Sequence, residues 1–170
     1  CVVIVSVAEA LSSVATSSAD LAFWLRAQWV GIIFLPPAYV HLSDALLATT
    51  GQPSRGRRKL VVRLLYFISI AFLVLLPTML LVGPLLENAQ PAPHLQRTFL
   101  TWVFASFYAL SMGFAWYNFG RAYQHTVASA SRRRMTYLIL GALAPALGSY
   151  PYLLFGSGIA SRFPTTFWLA

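Results

Sequence analysis

Long apolar segments joined by short basic clusters are the feature that most limits how this chain can fold. The two clusters are Arg55-Gly56-Arg57-Arg58-Lys59 and Arg132-Arg133-Arg134, and apolar residues surround both. A lipid bilayer imposes this pattern on a chain that crosses it repeatedly, because charged side chains are tolerated mainly in the connections between spans. The pattern therefore predicts a polytopic membrane protein.

The overall composition supports this class. Of 170 residues, 58% are hydrophobic and 9% are charged, whereas soluble domains carry roughly 25% charged residues. Twelve Lys and Arg against four Asp and Glu give a net charge of +8. Because the basic residues adjoin apolar runs and do not line one polar face, they favour the bilayer and its anionic lipids as partners over nucleic acid.

Five apolar stretches predict membrane helices within a single domain that covers residues 1–170. They lie at about residues 2–15, 21–49, 59–82, 97–125 and 135–155, and residues 163–170 would begin a further helix. Each proline within a helix removes a backbone donor and frees a carbonyl group. The predicted fold is an all-α membrane protein of about five proline-kinked transmembrane helices with short loops, truncated at both ends. The prolines concerned are Pro36, Pro37, Pro77, Pro145 and Pro151.

The distribution of Lys and Arg predicts the orientation of these helices. The connection 51–63 holds five Lys or Arg residues and the connection 121–134 holds four Arg residues, whereas the opposite side offers Arg26, Arg97 and Arg162. Short basic connections stay in the cytoplasm, so we expect both rich connections there and the 84–96 loop outside. The residues expected to anchor the domain to lipid headgroups or at the cytoplasmic surface are Arg55, Arg57, Arg58, Lys59, Arg132, Arg133 and Arg134.

Ionisable residues at membrane depth are the candidates for a functional site, because burying them is costly unless they are paired. Glu9 and Arg26 lie on two stretches that a short turn near Asp20 connects, so they are the expected stimulus-facing pair. The alternative is that both reach the membrane interface and only anchor the domain. His41 and Asp44 are three residues apart and share a helix face, which would suit a proton relay or hydrogen bonds to neighbours.

The sequence offers little for catalysis. Two ligands such as His41 and Asp44 do not hold a metal firmly, so we expect no metal site, and the single cysteine, Cys1, excludes a cysteine cluster. Ser and Thr residues have no base at a suitable spacing, and no phosphate-binding loop is present. The chain is therefore expected to be no enzyme, and the sequence requires no cofactor. The aromatic fourth stretch favours packing and lipid contact over a pigment pocket.

Two segments resemble a known family. Residues 24–39, WLRAQWVGIIFLPPAY, predict a helix with an aromatic-rich start and central prolines that precedes a short basic connection, and residues 132–139, RRRMTYLI, begin with the second basic cluster. They resemble the seven-helix N-terminal input region of bacterial membrane sensor histidine kinases and related GAF-containing signalling proteins. The resemblance covers about residues 1–160. It implies a signal-input domain with an output module C-terminal to it, one helix before the first stretch and another after the fifth.

The expected function is a membrane-embedded signal-input domain of a bacterial sensor protein, with multiple spans in the cytoplasmic (inner) membrane. One alternative is an accessory integral-membrane subunit of a larger respiratory or photosynthetic complex, which would pack against partner helices, lipids or pigments. A transporter fragment built around the prolines is a third interpretation. Helix–helix contact with a second copy or with other membrane subunits is expected.

Overall fold

The computed structural model describes residues 1–51, 56–88, 93–125, 133 and 136–141. Helices form most of this part of the chain, which confirms the predicted all-α membrane fold. Three of its helical segments, Ser18–Thr49, Arg57–Thr78 and Phe99–His125, are long and apolar enough to cross a bilayer. The elements in chain order are α1 (Val2–Ser13), α2 (Ser18–Thr49), α3 (Arg57–Leu75), β1 (Val82–Leu86), β2 (His94–Arg97) and α4 (Phe99–His125).

The first residues of α2 and α4 are fixed by side-chain caps. At α2, Ser17 Oγ accepts a hydrogen bond from the backbone N–H of Asp20 at 3.1 Å. At α4, Thr98 and Thr101 cap each other: Thr98 Oγ1 accepts from the Thr101 N–H at 3.3 Å, and Thr101 Oγ1 accepts from the Thr98 N–H at 3.0 Å. Each cap satisfies a backbone donor that a helix start leaves without a partner.

The third helix is shorter than expected, because Pro77 ends it and does not lie within it. The sequence predicts a helix over 59–82, but α3 runs from Arg57 to Leu75, and a 3-10 turn follows at Leu76–Thr78. Proline has no N–H to donate to the carbonyl oxygen four residues back, so the α-helical hydrogen-bond pattern stops at this point. Met79 then takes a left-handed conformation, with a φ of 57°. The chain therefore leaves the helix before Val82.

The connection between α3 and α4 is an antiparallel hairpin, where the sequence predicted only a loop over 84–96. β1 pairs with β2 along the register from Val82–Arg97 to Leu86–His94. Threonine side chains fasten this hairpin to α4, since Thr98 Oγ1 donates to the Leu80 carbonyl oxygen at 2.6 Å and Thr101 Oγ1 donates to that of Leu81 at 2.5 Å. The connection is thus held firmly against the helix that follows it.

Helix α2 lies at the centre and contacts α1, α3 and α4. It runs antiparallel to α3, because Ile33 meets Ser69 whereas Asp44 meets Arg58. It runs parallel to α4, because Trp29 meets Phe104 whereas Ser43 meets Asn118. The described connections between these helices therefore lie at two ends. We call the end with the α1–α2 turn and the β1–β2 hairpin the hairpin end. The end where α2 and α4 finish and α3 begins is the basic end.

Helix α1 packs tightly against the middle of α2 at Gly31. A Cβ atom at position 31 would lie 2.6 Å from Val5 Cγ2 and 2.8 Å from the Cys1 carbonyl oxygen. Both distances are shorter than real Cβ contacts, so only glycine permits this approach. Small residues serve this purpose at many helix contacts in membranes. α1 therefore covers the half of α2 that lies toward the hairpin end.

Aromatic side chains fill the interior between α2, α3 and α4. The Phe104 ring is fully buried and lies 5.6 Å from that of Trp29 and 5.3 Å from that of Phe72 between centroids. Tilted and edge-to-face contacts of this kind contribute roughly 0.5–1.5 kcal/mol each beyond burial. The aromatic residues of the fourth stretch thus contribute to the core, while others, such as Phe99 and Trp102, stay exposed.

Several sequence predictions fall outside the described residues. They concern the expected anchors Arg55, Arg132 and Arg134, Arg162, the prolines Pro145 and Pro151, the fifth helix beyond residue 141, and the start of a further helix at 163–170. The described piece at 136–141 is helical, and its Ile139 packs beside Leu47 at the basic end.

Candidate functional site

Polar side chains lie buried between three helices at the basic end. We call Ser43, Asp44, Arg58 and Asn118 the polar layer, since they join α2 to both α3 and α4. Ser43, Asp44 and Asn118 are buried, and Arg58 is half-buried. Buried polar groups destabilise a fold unless they are paired, so each of these contacts fixes the distance between two helices.

The ion pair between Asp44 and Arg58 links α2 to α3. Arg58 Nη1 lies 3.4 Å from Asp44 Oδ1, and the side chains keep 23% and 7% of their exposure. Arg58 stands in the first turn of α3, where the dipole of its own helix opposes a positive charge. A carboxylate on the neighbouring helix offsets that effect, while the arginine compensates the burial of Asp44.

A hydrogen bond between Asn118 and Ser43 links α2 to α4. Asn118 Nδ2 donates to Ser43 Oγ at 3.2 Å, and Ser43 Oγ donates in turn to the Val40 carbonyl oxygen at 2.8 Å. Because Ser43 and Asp44 are adjacent in the chain, α3 and α4 are both connected to one turn of α2. A displacement of that turn must therefore change both contacts.

A second contact between α2 and α3 lies at the prolines. Pro37 has no N–H to donate to the Ile33 carbonyl oxygen, which it would otherwise bind four residues back in the helix. Ser69 Oγ of α3 donates to that oxygen instead, at 2.9 Å, and Ser69 is fully buried. The carbonyl group that proline frees is thus satisfied by the neighbouring helix, as a bilayer interior requires.

His41 and Asp44 are not brought together into one site. His41 is exposed, and its Nδ1 lies 3.4 Å from the Tyr66 hydroxyl of α3, whereas Asp44 is buried against Arg58. Within the described residues, no three His, Cys, Asp or Glu side chains are grouped as a metal site would need. The two residues therefore contact α3 at different heights.

Glu9 and Arg26 lie on adjacent helices near the hairpin end. α1 and α2 are packed together, but no ion pair between Glu9 and Arg26 is among those formed within the described residues. Glu9 is exposed and Arg26 is half-buried. Arg26 Nε is buried and has no hydrogen-bond partner in the described part of the chain. The functional importance of both residues stays a prediction.

Arg97 is a further basic residue at the hairpin end. The sequence analysis used it only to compare the number of Lys and Arg residues on the two sides of the membrane. It is half-buried at the end of β2, and its guanidinium carbon lies 5.8 Å from the centre of the Trp102 ring. Its Nη1 and Nη2 atoms are buried without a hydrogen-bond partner in the described residues. Burial lowers the pKa of the Arg97 guanidinium from its ordinary value.

The expected anchors differ in their surroundings. Arg57, Lys59 and Arg133 are exposed, as headgroup contact would require. Arg58 belongs to the same sequence cluster but is directed at Asp44. Sequence reasoning missed Ser43, Ser69 and Asn118 altogether. Their only signal is that each is a polar residue within a long apolar helix.

Comparison with known proteins gives one result. The family model described as the N-terminal 7TM region of histidine kinase matches residues 1–170 of this chain. No curated protein matches it, and no solved structure does.

Proposed function

Because the chain belongs to the family of N-terminal 7TM regions of histidine kinases, we propose that it is the signal-input domain of a bacterial sensor protein in the cytoplasmic membrane. The match over residues 1–170 is the observation that carries this proposal. In that role the domain receives a stimulus and has no catalytic activity of its own. Kinase chemistry would belong to the output module of the full-length protein.

The proposed mechanism uses the contacts around α2. A stimulus at the hairpin end or within the membrane displaces α2, and Glu9 and Arg26 are the proposed stimulus-facing residues. The polar layer at the other end of α2 ties that helix to α3 and α4. Rearranging these ties changes the positions of α3, α4 and the fifth segment at the basic end, from which the signal continues to the output module.

We further propose that the connections 51–63 and 121–134 lie in the cytoplasm and that their exposed basic residues contact anionic lipids. To test this, single cysteines are placed at Asn88 and Gln124, both exposed, after the only native cysteine is removed by Cys1→Ser. In intact cells we expect a membrane-impermeant maleimide to label Asn88→Cys. Gln124→Cys should be labelled only after lysis, and the reverse pattern would disprove the orientation.

The signalling role is tested in the full-length protein by Asn118→Leu, which removes the hydrogen bond to Ser43. Such a bond contributes about 1 kcal/mol, so we expect basal autophosphorylation in native membranes to change by about fivefold. Ser106→Ala, on the exposed face of the same helix, is the matched control and should leave it unchanged. If Asn118→Leu folds normally and phosphorylates like the wild type, the polar layer does not carry the signal.

The accessory-subunit alternative makes a different prediction about partners. A subunit of a larger complex would copurify with other membrane proteins in fixed ratio, whereas a sensor is a self-sufficient chain with its own output module. Quantitative mass spectrometry of the full-length protein after mild detergent extraction separates the two.

A further inference from the structure

Two half-buried arginines, Arg26 and Arg97, lie at the hairpin end, and each has side-chain nitrogen atoms that are buried without a hydrogen-bond partner in the described residues. Residues of α2 and α4 that differ by 75 in number stand side by side, since the Trp29 and Phe104 rings are in contact and Asn118 binds Ser43. By this register Arg26 stands level with Thr101 in the first turn of α4, and Arg97 lies four residues before Thr101 in the chain, at the end of β2. Strand β2, which ends in Arg97, also contacts both α2 and α4.

No ion pair of Arg26 or Arg97 with an acid is among those formed within the described part of the chain. Asp44 pairs with Arg58 at the basic end, and Asp20 accepts a hydrogen bond from Ser17. A guanidinium group stays charged at all accessible pH values, and its buried N–H groups cost several kcal/mol when they are left without acceptors. The Trp102 ring offsets only part of this cost, because it supplies no hydrogen-bond acceptor.

We propose that Arg97, with Arg26 beside it, binds an oxyanion, a phosphate or carboxylate group, at the hairpin end of the bundle. The planar guanidinium group of Arg97 has two parallel N–H donors, and one oxyanion can accept both hydrogen bonds at once. Arg26 adds a second positive charge, and the exposed indole ring of Trp102 borders the site. The source of the anion is either a phospholipid headgroup or a free molecule in the water outside.

An oxyanion site would name the chemical class of the stimulus in the proposed function. It rests on that function only in placing the hairpin end on the outer side of the membrane. A binding measurement is therefore separable from a signalling one. Oxyanion binding that leaves autophosphorylation unchanged would support the site and disprove its role as an input. Kinase control without any oxyanion binding would disprove the site and leave the signal-input function standing.

The test uses the full-length protein, freed of lipid in a phosphate-free alkyl maltoside. Its melting temperature is measured with sodium phosphate, with sodium chloride of equal ionic strength, and with phosphatidylglycerol. We expect an oxyanion to raise it by about 5 °C in the wild type and not in Arg97→Gln. Arg63→Gln, at an exposed position of α3, is the control and should keep the full increase.

The outcomes distinguish the two sources. An increase with both phosphate and phosphatidylglycerol indicates a site open to water, and an increase with phosphatidylglycerol alone indicates a lipid headgroup. No increase with either, or an equal increase in Arg97→Gln, overturns the proposal. A second measurement is the melting temperature without oxyanions, where Arg97→Gln should be no lower than wild type because an unpaired buried charge has been removed. A clear decrease in melting temperature would show that contacts within the protein stabilise Arg97 without an anion, and it would also overturn the proposal.

Discussion

Arg58→Ala is expected to lower the free energy of unfolding by about 3 kcal/mol, whereas Arg57→Ala should change it by less than about 0.5 kcal/mol. The two arginines are neighbours in one basic cluster, but only Arg58 contacts a buried carboxylate. Its removal leaves Asp44 in the interior without its counter-charge, because that side chain keeps only 7% of its exposure. Arg57 is exposed, and its loss leaves no buried charge behind.

Substitution of the other member of the ion pair, Asp44→Ala, should lower the free energy of unfolding clearly less than Arg58→Ala does. Arg58 is longer and partly exposed, so it can turn its charged group toward water when the carboxylate is absent. The double substitution should resemble Asp44→Ala alone, so the coupling free energy should equal the cost of Arg58→Ala, about 3 kcal/mol. Unfolding by SDS in mixed micelles gives the free energy of unfolding of the wild type, the two single variants and the double variant. Equal effects of Arg57→Ala and Arg58→Ala would show that the ion pair contributes nothing.

Ser69→Ala is expected to destabilise the protein by about 1–3 kcal/mol, because it leaves the buried Ile33 carbonyl oxygen without a hydrogen-bond donor. The matched control is Ser106→Ala. Ser106 is exposed and bonds only to the Trp102 carbonyl oxygen of its own helix, so its loss should cost less than about 0.5 kcal/mol. The same SDS titration compares the two serine variants.

The role of Pro37 is tested by a second substitution in the same experiment. Pro37→Ala restores an N–H group that can bind the Ile33 carbonyl oxygen within α2. In that background Ser69→Ala should therefore lose most of its effect. If Ser69→Ala costs as much with Ala at position 37 as with Pro, the serine acts through packing and not through the carbonyl group that proline frees.

Much of the fold could be predicted from the sequence, because a bilayer leaves few choices to an apolar chain. The apolar stretches that became α2 and α4 are continuous, and their helical form follows from the need to satisfy backbone groups internally. The hairpin at 82–97 was not predictable in the same way. Residues such as Val82 and Leu95 are as apolar as those of a helix, so hydropathy alone does not separate strand from helix there.

The candidate site was predictable only in part. Asp44 was a candidate because it shares a helix face with His41, but it is buried against Arg58 while His41 is exposed beside Tyr66. Its partner Arg58 was predicted to be a lipid anchor, since sequence clustering cannot tell which arginine of a group turns inward. Asn118 and Ser69 meet residues that lie 75 and 36 positions away in the chain. Contacts at such distances depend on the packing of whole helices, which one sequence does not encode locally.

The adjacent prolines of α2 lie between two halves of one continuous helix. The half toward the hairpin end holds α1 at Gly31, and the half toward the basic end carries the polar layer. Between them, Pro36 and Pro37 donate no backbone hydrogen bonds, so a change in bend angle there has two fewer bonds within α2 to strain. The hydrogen bond from Ser69 of α3 to the Ile33 carbonyl oxygen holds this bend in place. Opening it would let one half tilt while both stay helical, a small movement that needs no unfolding.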